Sequence, residues 1–309
     1  MDPAVTVVIP TFNSARTIGR LLDSLIKQDY KDFETIIVDG GSTDQTVEIA
    51  SRYPVEIVSV ARRGVGAARR RGVEAAKGRL VAFIDSDCVA PPNWLSGLVS
   101  AISSGTDVVS VGGRAEPLGH GLVSKSLEYR MFGFEKSGSR REVESVATMN
   151  ALYRREEVLS AGNFDPSFEL AEDPELNARL RRRGLKILYD PSVFVYHDHP
   201  EGMKDLLWKW YGYGRWFAKL NTRNIRGFST KILPRLLYWL ATAISIVLFR
   251  SFPIVPLLIF LSPCTIYLRA AITGFKETSD VRLLVALPLV HLLKLQAHIL
   301  GMVSCFFSF

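Results

Sequence analysis

The sequence predicts an α/β domain with a mainly parallel sheet, followed by an apolar, membrane-embedded helical tail. Two observations carry this. Over the first 200 or so of the 309 residues, short β-branched runs alternate with helical patterns, and from Glu201 the composition shifts to basic, aromatic and then long apolar stretches. The first 230 residues suffice for a sizeable core, so the tail needs its own explanation.

The elements follow in order. VTVVIP is a strand, residues 15–27 a helix, ETIIVD a second strand and residues 44–52 a second helix. EIVSV, a helix near residues 66–77 and RLVAFID come next, so that four strands are linked by helical crossovers. Sheets of this kind bind ligands in the loops at the carboxyl ends of their strands. Those ends carry Pro10, Thr11, Phe12 and Asn13, then Asp39, Gly40, Gly41 and Ser42, then Asp85, Ser86 and Asp87. The topology alone gathers them along one edge. A helix near residues 92–103 and the strand DVVSVGG lead into a less regular second half that runs to about Tyr153.

Charge and cysteine usage narrow the class. The formal charge is +7, and from Ile232 onward six basic residues (Arg235, Arg250, Arg269, Lys276, Arg282, Lys294) face two acids (Glu277, Asp280). A basic excess beside apolar runs points to anionic lipid, and no basic folded module of the nucleic-acid-binding kind is recognisable. Cys88, Cys264 and Cys305 lie far apart without a CxxC, which gives no disulfide framework and no zinc site and fits a reducing compartment. The chain begins almost directly with its first strand and shows no signal peptide, so the N-terminal domain is expected in the cytosol.

In the tail, EGMKDLLWKWYGYGRWFAKLN sets Met203, Leu206, Leu207, Trp210, Gly214 and Phe217 at helical spacing, with Lys204, Lys209, Arg215 and Lys219 elsewhere. This is either a helix lying in the bilayer interface or a domain-packing helix. Residues 232–249 and 252–271 each have about the length needed to span a hydrocarbon core, and residues 283–307 exceed it. With three spans the RSFP turn is external and the loop RAAITGFKETSDVR cytosolic, matching the positive-inside rule; alternatively the first two segments form a re-entrant hairpin. The expected division is residues 1–200 catalytic, 201–231 juxtamembrane and 232–309 embedded in the cell membrane.

The chemistry rests on carboxylates. Asp85-Ser86-Asp87 ends the apolar run LVAFI, where two carboxylates suit Mg²⁺ or Mn²⁺ and the phosphates such ions carry. About 85 residues later Glu172-Asp173 opens a helix, a second acidic pair that implies chemistry on a diphosphate-activated substrate. Asp173 is the candidate general base; the alternative is an acidic helix start favoured by the dipole, with Pro174 in the first turn. Asp39 either accepts hydrogen bonds from a base or ribose or braces its own turn. Gly64 and Gly66 before a helix, with Arg62, Arg63, Arg69, Arg70 and Arg71 around them, suit a diphosphate, although the run is no dinucleotide fingerprint. His197, ending VFVYH, either ligates the metal, contacts phosphate or is an edge histidine, with His199 as the second candidate.

Residues 5–197 resemble the family-2 inverting glycosyltransferases of the GT-A fold. The matching pieces occur in order: VVIPTFN, IIVDGGSTDQT, GVGAARRRGVEAAKGRLVAFIDSD, and NALYRREEVLSAGNFDPSFELAEDPELNARLRRRGLKILYDPSVFVYH. The resemblance implies a Rossmann-like mixed sheet with C-terminal transmembrane helices. It also implies that Pro10, Thr11, Asn13, Asp39, Gly66 and Arg69 line the nucleotide-sugar pocket with Asp85 by the ribose and diphosphate. Asp87 would bind Mn²⁺ or Mg²⁺ with His197 near the diphosphate as a second ligand, Asp173 would be the base with Glu172 beside it, and Asn150 would face the sugar or acceptor. Gly40, Arg70 and Cys88 depart from residues frequent in the family. The processive members carry QxxRW, whereas Arg215-Trp216 are preceded here by Gly212, which argues for one sugar per acceptor. The expected reaction moves a sugar from a nucleotide-diphosphate sugar to a polyprenyl phosphate or lipid-linked glycan. The alternatives are a short-polysaccharide synthase and a catalytically inactive nucleotide-sugar-binding scaffold.

Overall fold

Alternating burial turns the β-branched runs into strands of one sheet. In β1 (Val5–Thr11), Val5, Val7 and Ile9 enter one core and Val8 the other. In β4 (Leu80–Ile84), Leu80, Ala82 and Ile84 face the first core and Val81 and Phe83 the second. A strand buried on both faces reads as a continuous apolar run, which is why VTVVIP and LVAFI stand out in the sequence. The computed structural model describes residues 2–61, 64–119, 121–123, 126, 138–198, 202–221, 228–247, 254, 258–259 and 261–306.

Between these strands lie α1 (Ile18–Ile26), β2 (Phe33–Asp39), α2 (Thr46–Ala50), β3 (Glu56–Ser59) and α3 (Val65–Ala75). There follow β5 (Cys88–Val89), α4 (Trp94–Ile102), β6 (Val108–Pro117), β7 (Arg141–Glu142), β8 (Asn150–Arg154), α5 (Arg155–Ser160), α6 (Glu172–Arg182) and β9 (Lys186–His197). The strand order is β3-β2-β1-β4-β8-β6-β9-β5, with β7 paired to β9. The β3-β2-β1-β4 half is parallel as expected. The other half is mixed: β8 inserts antiparallel between β4 and β6, and β9 runs parallel to β6 but antiparallel to β5 and β7. The chain leaves β1 towards β2 on one side and towards β4 on the other, so their carboxyl ends open a crevice at a switch point.

The chain divides into two units, Met1–Leu118 with Phe134–Asp198, and Gly119–Gly133 with His199–Phe309. The expected boundary lay at residue 200; the first compact unit ends at Asp198, and Gly119–Gly133 groups with the second unit. No composition shift announces this, because the segment joins the second unit through tertiary contacts: Val123 packs with Leu206 and Val290, and the Ser126 carbonyl lies 3.0 Å from His291 Nε2.

The second unit is helical: α7 (Met203–Asn221), α8 (Leu233–Val247), α9 (Cys264–Thr278) and α10 (Leu283–Phe306). Leu206 and Gly214 of the expected stripe are buried, and Trp208 is exposed. A Cβ on Gly214 would sit 1.9 Å from the His298 carbonyl oxygen, and one on Gly301 1.9 Å from that of Tyr211. Two glycines thus let α7 and α10 touch backbone to backbone, so the stripe is spent on helix packing. One stretch of α10, Leu283–Cys305, is long and apolar enough to cross a membrane, with mean hydropathy 1.8 and half of its most apolar window buried. The 15-residue α8 and α9 reach only about 22 Å each at about 1.5 Å per residue. The loop expected over residues 269–282 is helical as far as Thr278, where Ser279 ends α9 in the left-handed conformation (φ 58°). The expected RSFP turn lies outside the described residues.

Candidate active site

At the carboxyl ends of β1 and β2, Pro10, Thr11, Phe12, Gly40, Gly64, Val65 and Ala68 line a cleft of about 300 Å³. Its rim is braced from within. Asn13 adopts φ 50°, its amide N–H donates to Ser42 Oγ (2.9 Å), and its Oδ1 accepts from the Thr43 amide (2.9 Å). Asp39, only 4% exposed, accepts at Oδ2 from the Gly41 and Ser42 amides (both 3.0 Å) and at Oδ1 from Ser42 Oγ (2.6 Å). Of the two sequence readings of Asp39, the turn-bracing one describes these contacts. Pro10 and Thr11 lie in the cleft wall.

Gly66 lies at the start of α3, where packing alone already requires glycine. A Cβ there would fall 2.4 Å from the Phe168 carbonyl oxygen, so glycine lets α3 close onto the segment that leads into α6. One turn on, the buried Arg69 donates from Nη2 to Asp85 Oδ1 (2.7 Å) and from Nη1 to Glu172 Oε1. Its fork joins two carboxylates 87 positions apart in the chain, a geometry suited to guanidinium. Arg70 instead pairs with Glu74 and donates to the Gly162 and Phe164 carbonyls, while Arg71 is exposed. Arg62, Arg63 and His199 lie outside the described residues.

The approach to α6 is strained. Ala171 holds φ 64°, a conformation that non-glycine residues rarely take, and Glu172 and Asp173 follow at once. Glu172 is buried on Arg69, so the structure gives it the position of a clamp, where the sequence reading set it among the catalytic groups. Asp173 is half-buried, and its Oδ2 accepts from the Thr148 amide (3.3 Å). Burial pushes the Asp173 carboxyl above the usual carboxylate range; the Arg69 guanidinium opposes this, and Asp85 adds to it. The same burial raises Glu172, again against Arg69. These directions place Arg69, Asp85, Glu172 and Asp173 in one electrostatic cluster.

Asp87 and His197 also meet. Asp87 Oδ1 lies 3.4 Å from His197 Nε2, and the Asp198 amide donates to the Asp87 carbonyl (3.0 Å). Arg20 of α1 donates to Asp198 Oδ2 (2.8 Å), tethering the strand end that carries the histidine. A carboxylate oxygen and an imidazole nitrogen at this separation fit two neighbouring positions on a divalent ion of the Mn²⁺ kind. Asn150 departs from its expected place. It is 1% exposed, accepts from Trp94 Nε1 (2.8 Å) and donates to the Arg114 carbonyl (2.9 Å), so its amide is occupied in the core.

Sequence reasoning missed the Arg69–Glu172 pair, the Thr148 amide and the Arg20–Asp198 tether. Each is a contact between distant segments, and only the position of Arg69 just inside a glycine-opened helix hints at one of them.

Comparison with known proteins gives the family and the fold. The family model "Glycosyl transferase family 2" matches residues 6–160. Glycosyltransferase AglE of Haloferax volcanii is 31% identical over 206 residues, covering 63% of this chain and 67% of that protein. Glucosyl-dolichyl phosphate glucuronosyltransferase of the same organism is 24% identical over 241 residues, covering 68% and 76% respectively. Among solved structures, the mannosyltransferase PcManGT from Pyrobaculum calidifontis, in complex with GDP-Man and Mn²⁺, superposes with a TM-score of 0.65. At 19% identity it covers 100% of this chain and 88% of its own, which supports a shared GT-A fold. Because the family match takes in half of the residues, the four strands of the parallel half-sheet and α3 included, the chain belongs to glycosyl transferase family 2.

Proposed function

We propose that this glycosyltransferase moves a sugar from a nucleotide-diphosphate sugar to a membrane-held acceptor, a polyprenyl phosphate or lipid-linked glycan, with inversion at the anomeric carbon. The observation that carries the reading is the cluster Arg69–Asp85–Glu172–Asp173 beside Asp87 and His197, at the strand ends where such folds bind ligands. Support for the donor comes from the GDP-Man and Mn²⁺ of the superposed mannosyltransferase. The dolichyl-phosphate relative supports a lipid acceptor, as do the apolar stripes that α8 (Leu233, Leu237, Leu240, Ile244) and α10 (Val285, Leu289, Leu293, Leu300) leave exposed. On this reading the second unit lies in the membrane and the first faces the cytosol.

In the proposed mechanism the nucleotide occupies the cleft walled by Pro10 and Thr11, whose rim Asp39 and Asn13 hold in shape. Asp87 and His197 would hold a divalent ion, and the imidazole donor favours Mn²⁺ over Mg²⁺. Such an ion, when bound, supplies positive charge to the departing diphosphate. Asp173 accepts the proton of the acceptor hydroxyl as its oxygen attacks the face opposite the leaving group, which inverts the centre. With a phosphate acceptor, already ionised, Asp173 orients the nucleophile and takes little proton. Arg69, fixed at both ends, keeps Asp85 and the start of α6 in register, and Glu172 balances its charge.

Membranes holding wild type or Asp173→Asn, given radiolabelled UDP- and GDP-sugars with Mn²⁺ or EDTA, test this. Metal-dependent label in organic-extractable lipid, lost in the variant when the acceptor is a hydroxyl, is the expected result. Label confined to long water-soluble chains would replace it with the polysaccharide-synthase reading.

A further inference from the structure

The cysteine spacing predicts no zinc site, yet the fold brings a thiol to the metal ligands. Cys88 and His197 are directly opposed partners across the antiparallel β5–β9 pair, so their side chains leave the sheet on the same face. Both are 1% exposed. The sulfur of Cys88, a ring nitrogen of His197 and a carboxylate oxygen of Asp87 all lie within 4.8 Å of one another. Bonds of about 2.0 to 2.3 Å around a tetrahedral ion separate neighbouring ligand atoms by about 3.3 to 3.8 Å. The Asp87–His197 separation of 3.4 Å already matches, and the sulfur needs a shift of about 1 Å at most. The backbone is held for it: the Cys88 amide donates to the Asp85 carbonyl (3.0 Å), and the Asp198 amide to that of Asp87 (3.0 Å).

We propose that Cys88, Asp87 and His197 form a thiolate-containing site that takes Zn²⁺ in place of the hard divalent ion, making this glycosyltransferase zinc-inhibited. The proposal rests on the reading of Asp87 and His197 as metal ligands. One sulfur, one nitrogen and one oxygen are the mixed donor set that borderline-soft ions prefer, whereas Mn²⁺ and Mg²⁺ gain little from sulfur. As the sulfur–metal bond forms, the thiol proton leaves to solvent, and no oxidant is needed. A tetrahedral ion with three protein ligands keeps one open position, against the several that a six-coordinate ion offers to a diphosphate. Zinc therefore leaves the diphosphate a single position, where the six-coordinate ion gives it several.

The test uses the full chain in detergent with Cys264→Ser and Cys305→Ser, so that Cys88 is the remaining thiol. Co²⁺ serves as the optical probe for zinc. The expected result is a thiolate-to-cobalt charge-transfer band, removed by Zn²⁺ and absent after Cys88→Ser. With that change Zn²⁺ affinity falls by at least about tenfold while Mn²⁺ affinity, followed by electron paramagnetic resonance, moves by less than about twofold. Should Cys88→Ser fail to fold, Cys88→Ala and the cobalt spectrum of the parent decide. No charge-transfer band in a protein that binds Mn²⁺ through Asp87, as judged with Asp87→Asn, overturns the Cys88 inference alone. No binding of Mn²⁺ or Co²⁺ at all overturns the metal reading with it.

Discussion

Buried charge is handled in opposite ways in the two units. In the first, the Arg69 guanidinium is held between Asp85 and Glu172, with Asp173 in the same cluster, so cation and anions close on each other. In the second, Lys294 Nζ stands 4.0 Å over the Trp210 ring and the Arg235 guanidinium 4.9 Å over Phe217. The sequence supplies no acid there between Asp205 and Glu277 and none after Asp280. On the proposed reading, an acid-rich, cross-linked cluster fixes carboxylates for metal and proton work. On the same reading, a basic unit that shelters its cations on aromatic rings is matched to an interface that brings its own anions, the phosphates of a membrane.

The comparison breaks most visibly at Asp173. Asp173→Asn is predicted to lower transfer to a hydroxyl acceptor by about 10²- to 10⁴-fold with donor affinity nearly unchanged, measured as initial rates beside donor titrations. Because burial raises the Asp173 carboxyl and the base acts only when ionised, wild-type activity should rise with pH through a limb lying above the ordinary carboxylate range. Arg69→Lys keeps the charge but not the fork, and should move that limb further up if the lysine ammonium stands farther from Asp173.

Next in size is the removal of the cation altogether. Arg69→Leu leaves Glu172 without its partner, and a loss of about 3 to 5 kcal/mol is expected in denaturant unfolding of the first unit. In the second unit, Gly301→Ala forces a methyl against the Tyr211 carbonyl oxygen, and overpacking of this kind costs about 1 to 3 kcal/mol. Thermal unfolding in detergent would register it, with the donor-binding affinity of the first unit unmoved. The smallest effect is expected for Lys294→Met: about 0.5 to 2 kcal/mol from the lost contact with Trp210, and weaker retention on vesicles containing anionic lipid. Equal retention on neutral and anionic vesicles would remove the interfacial meaning of the second unit's basic residues.

Much of this was legible in the sequence. VTVVIP, FETIIVD and LVAFI are strands because apolar side chains on both faces leave no other way to bury them, and Asp39, Asp85 and Asp87 follow from where those strands stop. Asp87 and His197 were expected together and lie together. Less legible were the residues whose meaning depends on a distant partner. Asn150, read as facing the sugar, bonds Trp94 and the Arg114 carbonyl, and Gly66, read as a ligand turn, also lets α3 approach Phe168. The helix over Met203–Asn221 had two readings of equal pattern, because an apolar stripe looks the same whether lipid or another helix covers it.

By itself the sequence determined the alternation of strands and helices, the acidic residues at the strand ends and the apolar, basic character of the tail, since these depend on local periodicity and composition. Tertiary structure alone decided that β8 enters the sheet antiparallel, that Gly119–Gly133 leaves the first unit, that Glu172 faces Arg69 and that Cys88 stands opposite His197. The physical reason is common to all four: each depends on which segments the chain brings side by side across many tens of residues, and neither spacing nor hydropathy records that choice.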